Sequence, residues 1–377
     1  MSTVNGSWDP IFNGVAERLG ASVEAGEDVG ASVAITLDGQ MVVDIWSGWA
    51  DASRTVPWQA DTLTNVWSST KTVTALAALT LADRGVIDLF QPVAAYWPAF
   101  AAQGKETVEV RHLLSHTSGV CGWEQPVQLS DLYDTEASAA LLAAQAPWWE
   151  PGTRSGYHDR SYGHLIGEVI RRTTGKTLGA FVASELAGPL GADFHIGLEP
   201  AQAHRVANVI PFDGPLPIDS AIPGSVKHRT LSAPSWTPQI SWTPAWRQAE
   251  IGAANGHGHA RSLARILSVL ACGGEVEGQR WLSPESCDRV VQEQANGIDL
   301  VLEVPVRWGL GYALRNETLH YFPKGRVCGW GGWGGSIVLA DLDRRLSISY
   351  VMNRMVNGVD ERGPNLVRAA YAALGVA

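Results

Sequence analysis

The chain is poor in lysine, with five lysines against 16 tryptophans in 377 residues. Its net charge is -10. The clustered cations that reward a phosphate backbone or an anionic membrane surface are missing, which argues against nucleic acid and membranes as partners. The four cysteines, Cys121, Cys272, Cys287 and Cys328, form no C-x-x-C pair or ligand spacing. They read as small buried apolar groups rather than a disulfide or zinc framework, and free thiols suit a reducing compartment. No apolar run is long enough to cross a bilayer, and residues 1–10 have neither the basic start nor the apolar core of a secretory signal. The expectation is a cytoplasmic protein. No G-x-S-x-G occurs, so the nucleophile elbow of an α/β-hydrolase is absent. Neither an internal repeat nor a low-complexity linker divides the chain.

What is present describes a globular protein. With 45% hydrophobic and 18% charged residues, the chain can bury one large core or two lobes sharing a cleft. Most of the tryptophans are expected to serve the core. After a helix around residues 10–25, two β-rich runs at 31–37 and 40–46 flank Asp38-Gly39, a hairpin signal. Strand-like runs recur at 336–340 and 346–352, followed by a helix at 364–374. Strands at both ends imply one sheet assembled from distant segments. The middle carries Ala and Leu at helical spacing over 69–84, 136–146, 162–173 and 178–186. Residues 200–250 are Pro-rich with little periodicity and read as a long functional loop, before a helix at 260–270.

Within this outline, Ser68 and Lys71 lie three residues apart at the start of a helical run, on one helix face. A serine hydroxyl needs a base within hydrogen-bond reach and donors for the oxyanion formed on attack. Lys71 supplies the base if burial keeps it neutral, and the helix N-terminus favours developing negative charge. The 27 serines and five lysines would produce such a spacing by chance in roughly a third of chains of this composition, so the pair needs company. Two further segments supply it. Pro151-Gly152-Thr153-Arg154-Ser155-Gly156-Tyr157 is a turn-rich loop presenting a phenol, which beside a lysine ammonium becomes phenolate enough to act as a base. Gly329-Trp330-Gly331-Gly332-Trp333-Gly334-Gly335 lets a substrate lie against an edge backbone whose N–H groups serve as an oxyanion hole.

Ser68-x-x-Lys71, Tyr157 and Trp330-Gly331-Gly332, in this order, resemble the penicillin-recognising serine hydrolases and, among them, the family VIII carboxylesterases. His112-Leu113-Leu114-Ser115-His116-Thr117-Ser118-Gly119 and Asp83-Arg84-Gly85-Val86-Ile87-Asp88-Leu89 carry the likeness further. The resemblance implies an α+β, β-lactamase/transpeptidase-like fold. An antiparallel sheet from both chain ends, flanked by helices (1–64 and 252–377), would stand beside a mostly helical lobe (65–251), with the active site between. It also implies Ser68 as the acylated nucleophile, Lys71 and Tyr157 sharing base duty, and the backbone N–H groups of Ser68 and Trp333 as the oxyanion hole. No cofactor or metal is required.

Two positions depart from the pattern. Trp330 stands where β-lactamases and penicillin-binding proteins carry a cation for the substrate carboxylate, which moves the expectation from anionic β-lactams to neutral esters. Asp159 stands where the related Tyr-x-Asn motif has an amide, and a carboxylate cannot donate to an acyl carbonyl. Gly331, Gly332, Trp330, Trp123, Asp159 and His257 are the expected substrate contacts, with Trp236, Trp242 and Trp246 nearby in the Pro-rich loop. His257-Gly258-His259 lacks the carboxylates of a metal site and reads as a turn before the helix at 260. The resulting expectation is a serine carboxylesterase for small to medium acyl esters. The alternatives are an acyltransferase of the same fold, a β-lactamase or D-amino-acid peptidase, and a non-catalytic binding module, which would typically have lost Ser68 or Lys71.

Overall fold

Asp38 and Gly39 adopt left-handed φ angles of 50° and 78°, the two-residue turn whose twist matches that of paired strands. In the computed structural model, which describes residues 3–376, this turn joins β2 (Gly30–Leu37) to β3 (Gln40–Gly48), and β1 (Asn5–Trp8) pairs with the outer side of β3. The C-terminal half contributes β4 (Ala295–Ile298), β5 (Pro305–Trp308), β6 (Ala313–Leu314), β7 (Val327–Gly331), β8 (Ile337–Asp341) and β9 (Leu346–Met352). Together they form a nine-stranded antiparallel sheet in the order β1-β3-β2-β9-β8-β7-β6-β5-β4. β9 pairs with β2 from Leu346 opposite Leu37 to Met352 opposite Ala31, so the two chain ends meet in the middle of the sheet.

The strand alternation sorts side chains by size. Ser32, Ala34 and Thr36 of β2 and Ser347 and Ser349 of β9 share one face, where α5 packs closely: the Ala260 N–H donates to Ser32 Oγ, and Ser347 Oγ donates to the Ala264 carbonyl. The long helices are α1 (Asn13–Ala25), α2 (Thr70–Asp83), α3 (Thr135–Ala144), α4 (Ser161–Thr174), α5 (Ala260–Ala271) and α6 (Arg362–Ala373). α1 and α6 cover the opposite, bulkier face, where the Tyr350 hydroxyl donates to buried Asp28, which also pairs with Arg362. α2 is buried from Thr70 to Leu81 and has no polar face, as suits a helix enclosed between α4, α5 and β7. That enclosed helix carries the candidate nucleophile at its start.

The helices expected from periodicity are present, though residues 178–186 divide into an α-helix (Leu178–Val182) and a π-turn (Ala183–Ala187). β4, β5 and β6 had no sequence signal, being short and interrupted by Gly and Pro. The 200–250 stretch is not a featureless loop, for it holds several 3-10 turns and the short helices Val226–Ser232 and Pro244–Gln248. His257–Gly258 forms a central strand between Thr64–Asn65 and Phe194–His195 rather than a turn. All four cysteines are buried and free, and no helix among the described residues is long and apolar enough to cross a membrane.

Candidate active site

Trp67 holds a left-handed φ of 48°, rare for a bulky residue and held here by packing against Trp246 and Trp333, whose ring centroids lie 5.7 and 5.1 Å away. The strained residue turns the chain from Val66 into the 3-10 turn Trp67–Ser69 and on into α2, leaving Ser68 half-buried at the helix entrance. One turn later, Lys71 is buried with its Nζ 3.2 Å from Ser68 Oγ. Nζ also donates to the Asp159 carbonyl at 2.8 Å and the Ala253 carbonyl at 2.9 Å. A neutral amine has two hydrogens, and these two carbonyls take both, which leaves the lone pair for the Ser68 hydroxyl. Burial pushes the Lys71 pKa down to about 7, partly opposed by the Asp159 carboxylate and assisted by Arg160.

Tyr157 is buried against this pair, with Lys71 Nζ 4.5 Å from its ring centroid. Its phenolic oxygen accepts a hydrogen bond from Trp330 Nε1 at 2.9 Å. Burial, reinforced by the Asp159 charge, holds the phenol well above its ordinary value despite the opposing Ser68 and Trp330 hydrogen bonds. The sequence expectation is a phenolate paired with an ammonium, whereas these directions favour a phenol beside a free amine. The His112–Gly119 stretch forms the seat of the tyrosine loop. The Gly156 N–H donates to the His116 carbonyl, the His158 N–H to His116 Nδ1 at 3.0 Å, and Ser118 Oγ meets His158 Nε2 at 2.6 Å. The His158 Nδ1–H donates to the Gly156 carbonyl, so Nε2 is the acceptor.

The third wall is the end of β7. β6 pairs only with Cys328 and Gly329, so Trp330 and Gly331 keep an open edge on that side. Gly332 passes so close to the nucleophile turn that a Cβ there would lie 2.2 Å from the Val66 carbonyl oxygen. Ser336 Oγ fastens the same contact by bonding to the Val66 carbonyl and Ser69 Oγ, each at 3.0 Å. The Trp333 N–H has no acceptor among the described residues, and its ring packs edge-on against Trp67.

A cavity of about 350 Å³ opens in front of Ser68, lined by Tyr157, Asp159, Trp330, Gly331, Gly332 and Trp333 among others. Of the tryptophans expected in the Pro-rich loop, Trp236 lines it. Trp246 is buried and donates to Asn65, while Trp242 donates to the Val209 carbonyl at the surface. Trp123 lies away from the cavity, in the helical core with its indole N–H on the Ser138 carbonyl. His257 is likewise buried outside the lining, in its small sheet. Asp159 offers its carbonyl to Lys71 and turns its carboxylate to Arg160, 3.5 Å away, whose guanidinium stacks 4.0 Å over Trp236. Asp299 is a positioning residue without a sequence motif. Fully buried, its Oδ1 accepts from the backbone N–H groups of Tyr157, Val301 and Leu302 at 2.9–3.0 Å, tying the tyrosine to two cavity-lining residues. Nothing in the Asn296-Gly297-Ile298-Asp299 sequence signals that bond across 142 positions.

A serine one turn before a buried lysine, a phenol beside the lysine and a glycine-lined strand end match the arrangement expected of a penicillin-recognising serine hydrolase, and the chain belongs to the Beta-lactamase family, whose profile matches residues 15–373. It is 37% identical over 373 residues to the esterase/beta-lactamase LipL of Mycobacterium tuberculosis, covering 94% of this chain and 84% of that protein. Esterase EstB of Burkholderia gladioli is 27% identical, with 88% and 87% covered. Among solved structures, a family VIII carboxylesterase superposes with a TM-score of 0.93 at 40% identity over 98% of this chain and 100% of that one. A penicillin-binding protein homologue from Caulobacter crescentus follows at 0.89 and 36%, with 99% and 100% covered. The α+β, β-lactamase/transpeptidase-like fold is thereby established.

Proposed function

We propose that the protein is a serine carboxylesterase that hydrolyses small to medium acyl esters through an acyl-enzyme on Ser68. The observation that carries this reading is the Lys71 coordination: buried Nζ lies within hydrogen-bond reach of Ser68 Oγ and of two carbonyls, so in the free-amine form the carbonyls can take its two hydrogens while its lone pair turns to Ser68. Lys71 accepts the Ser68 proton as Oγ attacks the ester carbonyl, and the Ser68 and Trp333 N–H groups receive the oxyanion. Tyr157, at rest a phenol, protonates the departing alkoxide. The phenolate so formed is stabilised by the Trp330 N–H and by the new Lys71 ammonium beside its ring. It then takes a proton from water, which attacks the acyl group, while Lys71 returns its proton to Ser68. Every proton is restored after one turnover, and no cofactor enters.

The names of EstB and of the family VIII carboxylesterase support ester substrates, LipL is named for both esterase and β-lactamase activity, and Trp330 in the place of a cation favours neutral esters over anionic β-lactams. The reaction would run between the sheet-bearing residues 1–64 and 252–377 and the helical 65–251. The four free thiols suit a cytoplasmic location. The test is a parallel assay of p-nitrophenyl esters and a chromogenic cephalosporin. Ester turnover with negligible cephalosporin turnover supports the reading, and the reverse rejects it. Acylation that stalls until an alcohol is added would make the protein a transferase.

A further inference from the structure

Two segments meet at the wall of the cavity. The first, residues 211–236, includes the helix Val226–Ser232 and lays Leu216, Ile218 and Leu231 on the cavity wall. The second is the turn at 299–304, which contributes Val301 and Leu302. The turn is fixed from within. Asp299 Oδ1 accepts the N–H groups described above, the Asp299 N–H donates to the Val304 carbonyl, the Glu303 N–H donates to the Asp299 carbonyl, and the Leu300 N–H donates to the Ser155 carbonyl next to the catalytic loop. Glu303 sits in this turn at a left-handed φ of 58°. Between the two segments, the described residues form one ion pair, Lys227 Nζ to Glu303 Oε2 at 2.8 Å. Lys227 itself lines the cavity, with its side chain only 13% exposed, and its ammonium also donates to Ser220 Oγ at 3.1 Å.

Resting on the esterase reading, we propose that the Lys227–Glu303 pair closes the far end of the cavity and sets the upper length of the acyl chain that reaches Ser68. The cavity of about 350 Å³ is shared by the acyl chain and the alcohol, so a chain that lengthens towards this pair must part the two side chains or turn back to the open mouth. Glu303 is 46% exposed, and an ion pair with one solvated partner is weak and screened by salt. The closure therefore discriminates by a modest factor, and ionic strength tunes it.

The experiment compares kcat/KM for p-nitrophenyl octanoate and p-nitrophenyl acetate in wild type, Glu303→Gln and Lys227→Met, at low salt and at about 0.5 M NaCl, where the Debye length is only a few ångströms. Glu303 lies outside the cavity lining and Lys227 lines it, so the ratio to acetate is read to cancel any effect common to both substrates. The octanoate-to-acetate ratio is expected to rise about three- to fivefold in each variant. Salt raises it in wild type and leaves it unchanged in the variants. A ratio that stays at the wild-type value in both variants, or that salt moves equally in all three proteins, overturns the proposal while leaving the esterase reading intact. Failure of wild type to turn over acetate overturns both.

Discussion

The indole N–H of Trp330 donates to the phenolic oxygen of Tyr157 at 2.9 Å. A residue that removes one function, the cation that would greet an anionic substrate, thus supplies another, a neutral donor to the phenol that the proposed mechanism turns into a phenolate. Trp330→Phe keeps the aromatic bulk and deletes the donor. Hydrogen bonds to charged groups contribute about 1.5–3 kcal/mol, so kcat/KM for a short alkyl ester, whose alkoxide must take the Tyr157 proton, should fall about 10- to 100-fold. An unchanged value would separate Trp330 from the chemistry and leave it a packing residue.

The Lys71 pKa predicts the acid limb of the pH profile. Only the free amine accepts the Ser68 proton, so kcat/KM should climb as pH rises through about 7 and level off above it. Asp159 favours the ammonium form. Asp159→Asn removes that charge, retains the backbone carbonyl that holds Nζ, and should move the limb to lower pH. A limb displaced upward in this variant would contradict the assignment of Lys71 as the titrating base.

Gly332 tests the strand wall. A methyl group there meets the Val66 carbonyl oxygen and, at 2.3 Å, Ser336 Oγ, so the end of β7 and the nucleophile turn must move apart. Gly332→Ala should destabilise the protein by about 1–3 kcal/mol in denaturant unfolding, the range of overpacked interiors. It should also lower kcat more than that loss implies, because the Trp333 N–H moves with the strand. Full activity together with wild-type stability would mean that the close approach is dispensable.

How far the sequence revealed this molecule depended on whether a signal was local. The Asp38-Gly39 turn and the β-rich runs of β2, β3, β8 and β9 disclosed the centre of the sheet, because turn chemistry and strand-favouring composition act within a few residues. β4 to β6 are two to four residues long, and their pairing comes from neighbours in space, which no short window carries. Ser68 and Lys71 were visible as a spacing, Tyr157 as a phenol on a turn-rich loop and Trp330 within a glycine-rich strand entry, and the family likeness joined them. Asp299, the Trp67 backbone strain and the Lys227–Glu303 closure appear only when distant segments are brought together. Trp123 shows the converse: an aromatic residue near the motifs in sequence proved to be filling the helical core.

The most direct test of the account is covalent. Rapid acid quenching after mixing wild-type protein with excess p-nitrophenyl butyrate should trap one butyryl group per chain, detected by intact mass and located by peptide mapping to the segment containing Ser68. Ser68→Ala should show no adduct and should lose essentially all turnover. Ester hydrolysis that survives in Ser68→Ala, or an adduct mapped to another residue, would contradict it.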